Sequence, residues 1–316
     1  MDQFSWEGMW SGMTKDIDLS VDIAGVTLKN PITTASGTFA PREFSQFMDL
    51  SELGGVIVKG IASVPWKGNA TPRVAETYGG MLNAVGLQNP GVDYFIKNDL
   101  PFLQQFDTKI IVNIAGRTVE EYCEVVEKLA HTSIDLLELN ISCPNVKEGG
   151  IGFGTSVEMA EEVTRAVKKV SAQPLIVKLS PNVTDIAEIA KAVEYAGADG
   201  ISLVNTLVGM KIDVHRKTPV LANKIGGFSG PAIKPVAVRM VYQVARAVNL
   251  PIIGLGGIMT GEDAVEFILA GADAISVGTA TFSNPVACLE IKQGLIDYMN
   301  QYGFKSIKEI QAAFIE

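Results

Sequence analysis

Eight short apolar runs rich in β-branched residues recur along this chain, and amphipathic segments of helical length lie between them. The runs cover residues 32–35, 55–59, 109–114, 136–141, 175–179, 200–204, 251–255 and 274–277. Alternation of strands and helices predicts a parallel sheet. Eight such units in succession favour closure into a (β/α)8 TIM barrel over the alternative, an open doubly wound sheet.

Three further segments surround this predicted barrel. Residues 19–31 alternate apolar and polar side chains around Gly25, which predicts a short N-terminal hairpin. Residues 60–91 follow the second strand and residues 207–230 follow the sixth, and insertions of this length usually serve as lids or binding walls. No linker or low-complexity tract interrupts the chain, so residues 1–316 are predicted to form one domain, with residues 1–18 as an N-terminal extension.

The helical segments carry ordinary start and stop signals. Residues 119–130 place Val119, Cys123, Val126 and Ala130 on one face, which is therefore predicted to be buried. Residues 184–193 begin with Thr and Asp, and residues 261–271 repeat that arrangement between two glycines.

Charge and cysteine content exclude several classes of protein. The net charge of -9 argues against nucleic acid or an anionic membrane as the main partner, because both reward basic patches. Three widely spaced cysteines indicate a reducing compartment, and they are too few for a four-cysteine iron–sulfur site. Residues 1–20 lack the apolar core of a signal peptide, and no apolar run approaches the roughly 20 residues of a membrane helix. We therefore expect a cytoplasmic protein without a membrane segment.

The fourth apolar run ends in clustered polar residues, among them Asn140, Cys143 and Asn145. Barrel active sites lie at the C-terminal ends of strands. A thiol whose pKa starts near about 8.5 becomes a usable base after a modest shift, so Cys143 is a candidate general base. Cys123 and Cys288 lie on helical patterns, where most free cysteines are small buried residues.

Further polar side chains follow other predicted strands. Carboxamides at strand ends and in the first insertion suit a ring with alternating C=O and N–H groups: Asn83, Asn113, Asn140, Asn145 and Asn205. Lys59 and Lys178 lie at or near the ends of the second and fifth strands. Because an unpaired ammonium in an apolar run costs several kcal/mol, Lys178 is expected to face a bound anion. His131 is expected to be structural, and the sequence leaves the role of His215 open.

Two glycine-containing turns, residues 254–257 and 277–280, follow the last two predicted strands. In a barrel these loops commonly bind phosphate, because glycine allows backbone N–H groups to approach an anion closely. They predict a phosphate-bearing cofactor or substrate.

Together these residues resemble the class 1 dihydroorotate dehydrogenases, from about Leu19 onward. The matching motifs lie at residues 35–38, 83–91, 140–145, 177–181, 205–206, 226–235, 256–257 and 278–279. A cysteine at position 143 is similar to class 1, whereas the membrane-associated class 2 enzymes carry serine there and have a membrane-binding segment that is not expected here. Residues 146–154 resemble subfamily B.

The resemblance implies cofactors and partners. The subfamily B catalytic chain holds FMN and is NAD-linked through a second subunit, which carries FAD and a [2Fe–2S] cluster. A homodimer of this chain with that electron-transfer subunit, giving a heterotetramer, is therefore expected. No metal site is expected on this chain.

The resemblance also implies residue roles. Cys143 is expected to take the C5 proton of (S)-dihydroorotate while the C6 hydride passes to N5 of FMN, giving orotate in pyrimidine biosynthesis. Expected substrate contacts are Lys59, Asn83, Val85, Gly86, Leu87, Asn140, Asn145, Asn205 and Thr206. Expected FMN contacts are Ala35, Ser36, Lys59, Asn113, Asn140, Lys178, Val204, Gly230, Gly256, Gly257, Gly278 and Thr279. Lys178 is expected near the N1/O2 edge of the flavin, and the last five residues at its phosphate.

Other functions remain open from the sequence. A related dihydropyrimidine dehydrogenase shares the Asn-rich loop and cysteine, and it would prefer dihydrouracil. A subfamily A enzyme would be a partner-free homodimer that uses fumarate. From another class, a non-redox barrel lyase or isomerase acting on a phosphorylated substrate would use the glycine turns but would show no flavin spectrum. A non-catalytic scaffold would give no reason to group polar residues at one mouth.

Overall fold

A computed structural model describes residues 17–141 and 150–315 of the chain. The predicted base Cys143 and the predicted substrate contact Asn145 lie outside the described residues, as does most of the predicted N-terminal extension.

The described residues form short strands and helices in alternation. In chain order, the strands are β1 (Val21–Ile23), β2 (Val26–Leu28), β3 (Ile32–Thr34), β4 (Gly55–Ile57), β5 (Val74–Thr77), β6 (Gly80–Asn83), β7 (Lys109–Ile114), β8 (Leu136–Asn140), β9 (Leu175–Lys178), β10 (Gly200–Leu203), β11 (Leu207–Met210), β12 (Ile212–Asp213), β13 (Thr218–Pro219), β14 (Ile225–Ser229), β15 (Ile252–Leu255) and β16 (Ala274–Val277). The α-helices are α1 (Pro41–Phe44), α2 (Val92–Tyr94), α3 (Leu100–Leu103), α4 (Val119–Leu129), α5 (Gly150–Thr155), α6 (Val157–Val170), α7 (Ile186–Tyr195), α8 (Lys234–Ala245), α9 (Gly261–Leu269), α10 (Ala280–Ser283), α11 (Ala287–Tyr302) and α12 (Ile307–Ala312). Two 3-10 turns (Leu50–Glu52 and Pro231–Ile233) and a π-helical segment (Phe95–Asp99) complete the regular structure of this part of the chain.

Eight parallel strands close into a barrel in the order β10-β15-β16-β3-β4-β7-β8-β9. Each of them overlaps one of the eight apolar runs, so the predicted (β/α)8 barrel is confirmed. Strands buried on both faces read as continuous apolar runs, since helices cover the outside and side chains fill the inside. All five residues of β8 are buried, including the charged Glu138, which the apolar pattern does not explain.

Helix α4 closely matches the predicted helical segment 119–130, but its buried face differs from the prediction. The Thr118 hydroxyl caps the helix by accepting a hydrogen bond from the backbone N–H of Glu121. The fully buried residues are Tyr122, Val125, Val126 and Leu129, whereas Val119, Cys123 and Ala130 are only half-buried. Tyr122 makes two contacts on the buried face. Its ring packs edge-on against Phe153, and its hydroxyl donates a hydrogen bond to the Asn140 carbonyl.

The N-terminal hairpin predicted around Gly25 is confirmed. Strands β1 and β2 pair antiparallel through a two-residue turn at Ala24 and Gly25, whose φ angles are 56° and 83°. Positive φ at both positions matches the twist of the flanking strands, which is why glycine is favoured there. Ile23 and Leu28 anchor the hairpin in the core.

The two insertions join each other above the barrel. Strands β5 and β6 come from the first insertion, and β11 and β14 come from the second; together they form one antiparallel sheet in the order β11-β14-β6-β5, which we call the insertion sheet. Asn83 pairs with Gly227 across its centre. The sequence predicts a lid or binding wall from each insertion, and the structure joins the two insertions in one wall.

Two other features concern surfaces. His215 is exposed beside the small hairpin of β12 and β13, and His131 is exposed after α4. Within residues 17–141 and 150–315, no helix combines the length and apolar character needed to cross a membrane.

Candidate active site

A cavity opens at the C-terminal ends of the barrel strands, between the strand ends and the insertion sheet. It brings together most of the residues predicted to bind a ligand: Ala35, Ser36, Lys59, Asn83, Val85, Gly86, Leu87, Asn140, Lys178, Val204, Asn205, Thr206, Gly230, Gly256, Gly257, Gly278 and Thr279. Asn113 is fully buried and does not line the cavity. Residues more than 200 positions apart in sequence therefore share one wall because the barrel closes.

The cavity also contains residues that the sequence analysis did not single out, among them Gly37, Thr38, Ser229, Ser276 and Phe282. Ser229 accepts a hydrogen bond of 2.8 Å from the Thr279 hydroxyl, which links the insertion sheet to the loop after β16. Ser229 lies within the matched motif of residues 226–235, so that motif could have identified it. Phe282 is the third residue of α10, and no local sequence pattern indicates that it lines a cavity.

One end of the cavity is formed by glycines that approach each other closely. Gly230 and Gly257 have φ angles of 110° and 86°, a region that side chains with a Cβ rarely adopt. A Cβ on Gly257 would lie 2.8 Å from the Gly230 carbonyl oxygen and 2.9 Å from Cβ of Lys234. Helix α8 starts just beyond Gly230, through the turn Pro231–Ile233. The close approach of backbone that these glycines allow suits an anion such as a phosphate group.

Lys178 reaches the cavity from the end of β9, and its counterion lies on the neighbouring strand. Its Nζ is 3.8 Å from Oε2 of Glu138. Lys178 is 4% exposed and Glu138 is 0% exposed. The sequence predicts a bound anion at Lys178, and within the chain the carboxylate of Glu138 already supplies one counter-charge. Glu138 gave no signal in sequence beyond being an acidic residue within an apolar run.

Glu138 has two further partners inside the barrel. Its Oε2 accepts a hydrogen bond of 2.5 Å from Nδ2 of Asn113, and its Oε1 accepts one of 2.7 Å from the Ser202 hydroxyl. Asn113 stands directly opposite Glu138 in the β7–β8 register. Asn113 is thus placed behind the cavity wall, against the carboxylate.

The carboxamides continue from Asn113 toward the cavity. Oδ1 of Asn113 is 3.5 Å from Nδ2 of Asn140, and Oδ1 of Asn140 is 3.4 Å from Nδ2 of Asn205. Oδ1 of Asn205 accepts from the backbone N–H of Thr206 at 2.8 Å. We call this run of side chains, which starts at the Glu138 carboxylate and continues through the carboxamides of Asn113, Asn140 and Asn205, the carboxamide chain. Asn83 approaches the cavity separately, from the insertion sheet, and its Nδ2 lies 3.5 Å from the Gly227 carbonyl.

Lys59 provides a second cation in the cavity, on the side of Gly37. A Cβ on Gly37 would lie 3.2 Å from Nζ of Lys59, so a glycine there leaves room for the ammonium group. Lys59 is half-buried, which keeps its charge within reach of a ligand.

The two cysteines of the described residues lie on helices and do not line the cavity. Burial raises the pKa of the Cys288 thiol to about 12. Burial also raises the pKa of Cys123, and the nearby carboxylates Glu127 and Glu120 raise it further. Both thiols therefore stay protonated at neutral pH, which makes them unsuitable as bases. In the part of the chain that the structure describes, no group of three His, Cys, Asp or Glu side chains could hold a metal ion.

The sequence model of the dihydroorotate dehydrogenase family matches residues 18–299, which include every described residue of the cavity. The chain belongs to the dihydroorotate dehydrogenase family. The class and subfamily inferred from the motifs are confirmed by relatives named "Dihydroorotate dehydrogenase B (NAD(+)), catalytic subunit". The protein of that name from Alkaliphilus metalliredigens is 67% identical over 95% of this chain and 100% of its own length. Its counterpart from Geobacillus kaustophilus is 57% identical, over 92% of this chain and 94% of its own length.

The fold of this chain is also found among solved structures. A crystal structure of DHODH in complex with ferulenol from Eimeria tenella has a TM-score of 0.77, covers 96% of this chain and 89% of that chain, and is 24% identical in sequence. At this identity the likeness supports the barrel architecture, while the family assignment rests on the sequence matches.

Proposed function

We propose that this chain is the catalytic subunit of an NAD-linked dihydroorotate dehydrogenase, which oxidises (S)-dihydroorotate to orotate in pyrimidine biosynthesis with FMN as its cofactor. The observation that carries the proposal is one cavity lined by the buried Lys178, by the carboxamides Asn83, Asn140 and Asn205, and by glycines from three loops. High identity to relatives named for this activity supports it.

The chemistry of the cavity suits FMN. At one end, Gly230, Gly256, Gly257, Gly278 and Thr279 offer the close backbone approach that a ribityl phosphate needs. Ala35, Ser36 and Val204 also line the cavity and are proposed to pack against the flat ring of the cofactor. FMN bound there would supply a two-electron acceptor for a hydride. Lys178 is proposed to stabilise the negative charge of the reduced cofactor.

The substrate is proposed to bind between the insertion sheet and the end of β8. Asn83, Asn140, Asn145 and Asn205 are proposed to hydrogen-bond the pyrimidine ring and its carboxylate, with Thr206 beside them. Lys59 is proposed to pair with the carboxylate, since it is the cation on that side of the cavity. The backbone at Val85, Gly86 and Leu87 completes the wall.

Cys143 is proposed to accept the C5 proton while the hydride leaves C6. Strand β8 ends at Asn140, three residues before Cys143, and Asn140 lines the cavity. Asn113 is proposed to act through Asn140, because it lies behind the wall that FMN and substrate would touch.

We also infer an assembly in which residues 1–316 act as one FMN-binding barrel domain and residues 1–18 are an extension. Two copies are proposed to associate with an electron-transfer subunit that carries FAD and [2Fe–2S]. The words "catalytic subunit" and "NAD(+)" in the relatives' names support such a partner. Exposed apolar side chains on the insertion sheet, at Val208, Met210 and Ile225, support contact between two copies.

The test is an anaerobic titration of the purified protein with dihydroorotate, followed by flavin absorbance. The protein is expected to be yellow, to be bleached by dihydroorotate, and to reduce NAD only when the partner subunit is added. Colourless protein that takes up no added FMN would contradict the proposal. Stronger bleaching by dihydrouracil would indicate a dihydropyrimidine dehydrogenase, and reoxidation by fumarate without a partner would indicate subfamily A.

A further inference from the structure

Glu138 lies one layer below the cavity and does not line it, yet it contacts both the lysine and the carboxamides that do. The interior of a barrel is ordinarily filled by branched apolar side chains. A charge taken out of water costs several kcal/mol unless it is paired and hydrogen-bonded. A leucine would fill this position without that cost, so the fold alone does not account for the carboxylate.

An ionised carboxylate can only accept hydrogen bonds. The atom of Asn113 that lies 2.5 Å from Glu138 must therefore be its amide nitrogen, and the Asn113 oxygen is turned toward Asn140. The amide nitrogen of Asn140 meets that oxygen, which turns the Asn140 oxygen toward Nδ2 of Asn205. Each orientation follows from the one before it.

The far end of the carboxamide chain is fixed independently. A backbone N–H can only donate, and the N–H of Thr206 lies 2.8 Å from Oδ1 of Asn205. An obligatory acceptor at Glu138 and an obligatory donor at Thr206 thus demand the same direction of all three carboxamides. The two ends agree across strands β7, β8 and the loop after β10.

We propose that Glu138 is a positioning residue, which fixes the amide orientation of Asn113, Asn140 and Asn205 and so sets the donor and acceptor pattern offered to the pyrimidine ring. This inference rests on the proposed function, because it assigns Asn140 and Asn205 to the substrate. The same carboxylate supplies the counter-charge of Lys178, so one buried group orients the substrate wall and compensates the cation beside it.

The test is Glu138→Gln, which keeps the shape of the side chain. A glutamine can donate as well as accept, so the direction of the three carboxamides is then imposed at one end only, by the Thr206 N–H, and the reversed amide of Asn113 is no longer excluded. We expect orotate affinity, measured by perturbation of the flavin spectrum, to fall roughly tenfold, the effect of about one misplaced hydrogen bond. The KM for dihydroorotate should rise by a similar factor while kcat changes less. FMN content and thermal midpoint are measured on the same samples.

A second variant separates orientation from mere loss of packing. In the double variant Asn113→Asp with Glu138→Gln, the glutamine donates to the new carboxylate, whose other oxygen again accepts from Asn140. We expect this pair to restore orotate affinity to within about threefold of the wild-type protein. The matched control is Thr34→Val, which removes a buried hydroxyl that donates to the Ile57 carbonyl at 3.2 Å within the same barrel but outside the carboxamide chain and the cavity lining. It should leave the affinity near the wild-type value.

Unchanged orotate affinity in Glu138→Gln would overturn the inference, as would a double variant that binds no better than Glu138→Gln. If Glu138→Gln does not fold, a folded double variant with near wild-type affinity still supports the inference, and a folded double variant with weak affinity overturns it. Wild-type protein that holds FMN but shows no spectral change with orotate would instead contradict the proposed substrate. Failure of the function and failure of this inference are therefore distinguishable.

Discussion

Nζ of Lys178 lies 3.8 Å from Oε2 of Glu138, and the two side chains are only 5% and 1% exposed. The pair joins adjacent strands at the base of the cavity. Removing one partner of a buried ion pair leaves the other as an uncompensated buried charge. This destabilises a protein more than replacing both partners by well-packed apolar residues. This pair is therefore the most sensitive electrostatic contact identified in the site.

The first prediction concerns Lys178→Met. This change leaves the Glu138 carboxylate buried without its cation, so the free energy of unfolding should fall by about 3–5 kcal/mol. Denaturant unfolding measures it. The control is Lys234→Met, which removes ion pairs to Asp263 and Glu266 at a more exposed position and should cost about 1 kcal/mol or less. Equal losses in the two variants would contradict the special cost assigned to the buried pair.

The second prediction concerns Cys143→Ala. The variant should retain FMN and lose turnover by about 10²–10⁴-fold, the usual contribution of a positioned general base. Stopped-flow bleaching by dihydroorotate measures the rate, and flavin absorbance measures the FMN content. Cys123→Ala is the control, because this half-buried thiol on α4 lies away from the cavity. If Cys143→Ala bleaches at the wild-type rate, the proton passes to another group.

The third prediction concerns Gly257→Ala. The added Cβ would lie 2.8 Å from the Gly230 carbonyl oxygen at a φ of 86°, so the two glycine loops must separate. We expect FMN affinity to fall at least about tenfold, as measured by the flavin lost on dilution. Gly303→Ala is the matched control, since Gly303 has a φ of 78° with nothing within 4 Å of its added Cβ. It should cost about 1 kcal/mol of stability and leave FMN affinity unchanged. Equal FMN affinity in both variants would contradict the assignment of the glycine loops to the phosphate site.

The fourth prediction concerns stability and pH at Asp263. Burial alone would raise the pKa of this carboxyl, but hydrogen bonds from Lys234 and from the N–H groups of Met259 and Thr260 outweigh burial and lower it. A lowered folded-state pKa means that the stabilisation is present above the ordinary Asp value of about 3.9 and is lost as the pH falls through the folded-state value. Asp263→Asn should therefore cost about 1 kcal/mol at pH 7 and progressively less below about pH 4, as measured by urea unfolding.

Asp273 provides the control of opposite sign. Burial raises the pKa of its carboxyl despite hydrogen bonds from Ile252 and Gln311, so its ionised form is disfavoured in the folded protein. The resulting penalty is present at neutral pH and disappears below the unfolded-state pKa. The difference in stability between Asp273→Asn and wild type should accordingly shift in favour of wild type as the pH falls. A change in the same direction for both variants would contradict the two assigned shifts.

Much of the fold was predictable because its signals are local. The eight strands, the hairpin at Gly25 and the extent of α4 follow from hydrophobic runs, turn residues and helical periodicity within a few positions. The face of α4 was mispredicted because the periodicity did not include Tyr122, whose burial depends on a hydrogen bond to Asn140, 18 residues away. A polar tip on a large apolar ring can lie on either face until its partner is known.

The sequence by itself determined the eight-unit barrel and most of the residues that line its mouth, because strand patterns and glycine turns act over short distances. Only the tertiary structure decided that the insertions pair at Asn83 and Gly227, 144 residues apart, and that Lys178 has Glu138 as a counterion within the chain. The physical reason is that barrel closure alone brings these groups together. A buried charge is tolerated only where partners from other strands surround it, and a local sequence pattern does not identify those partners.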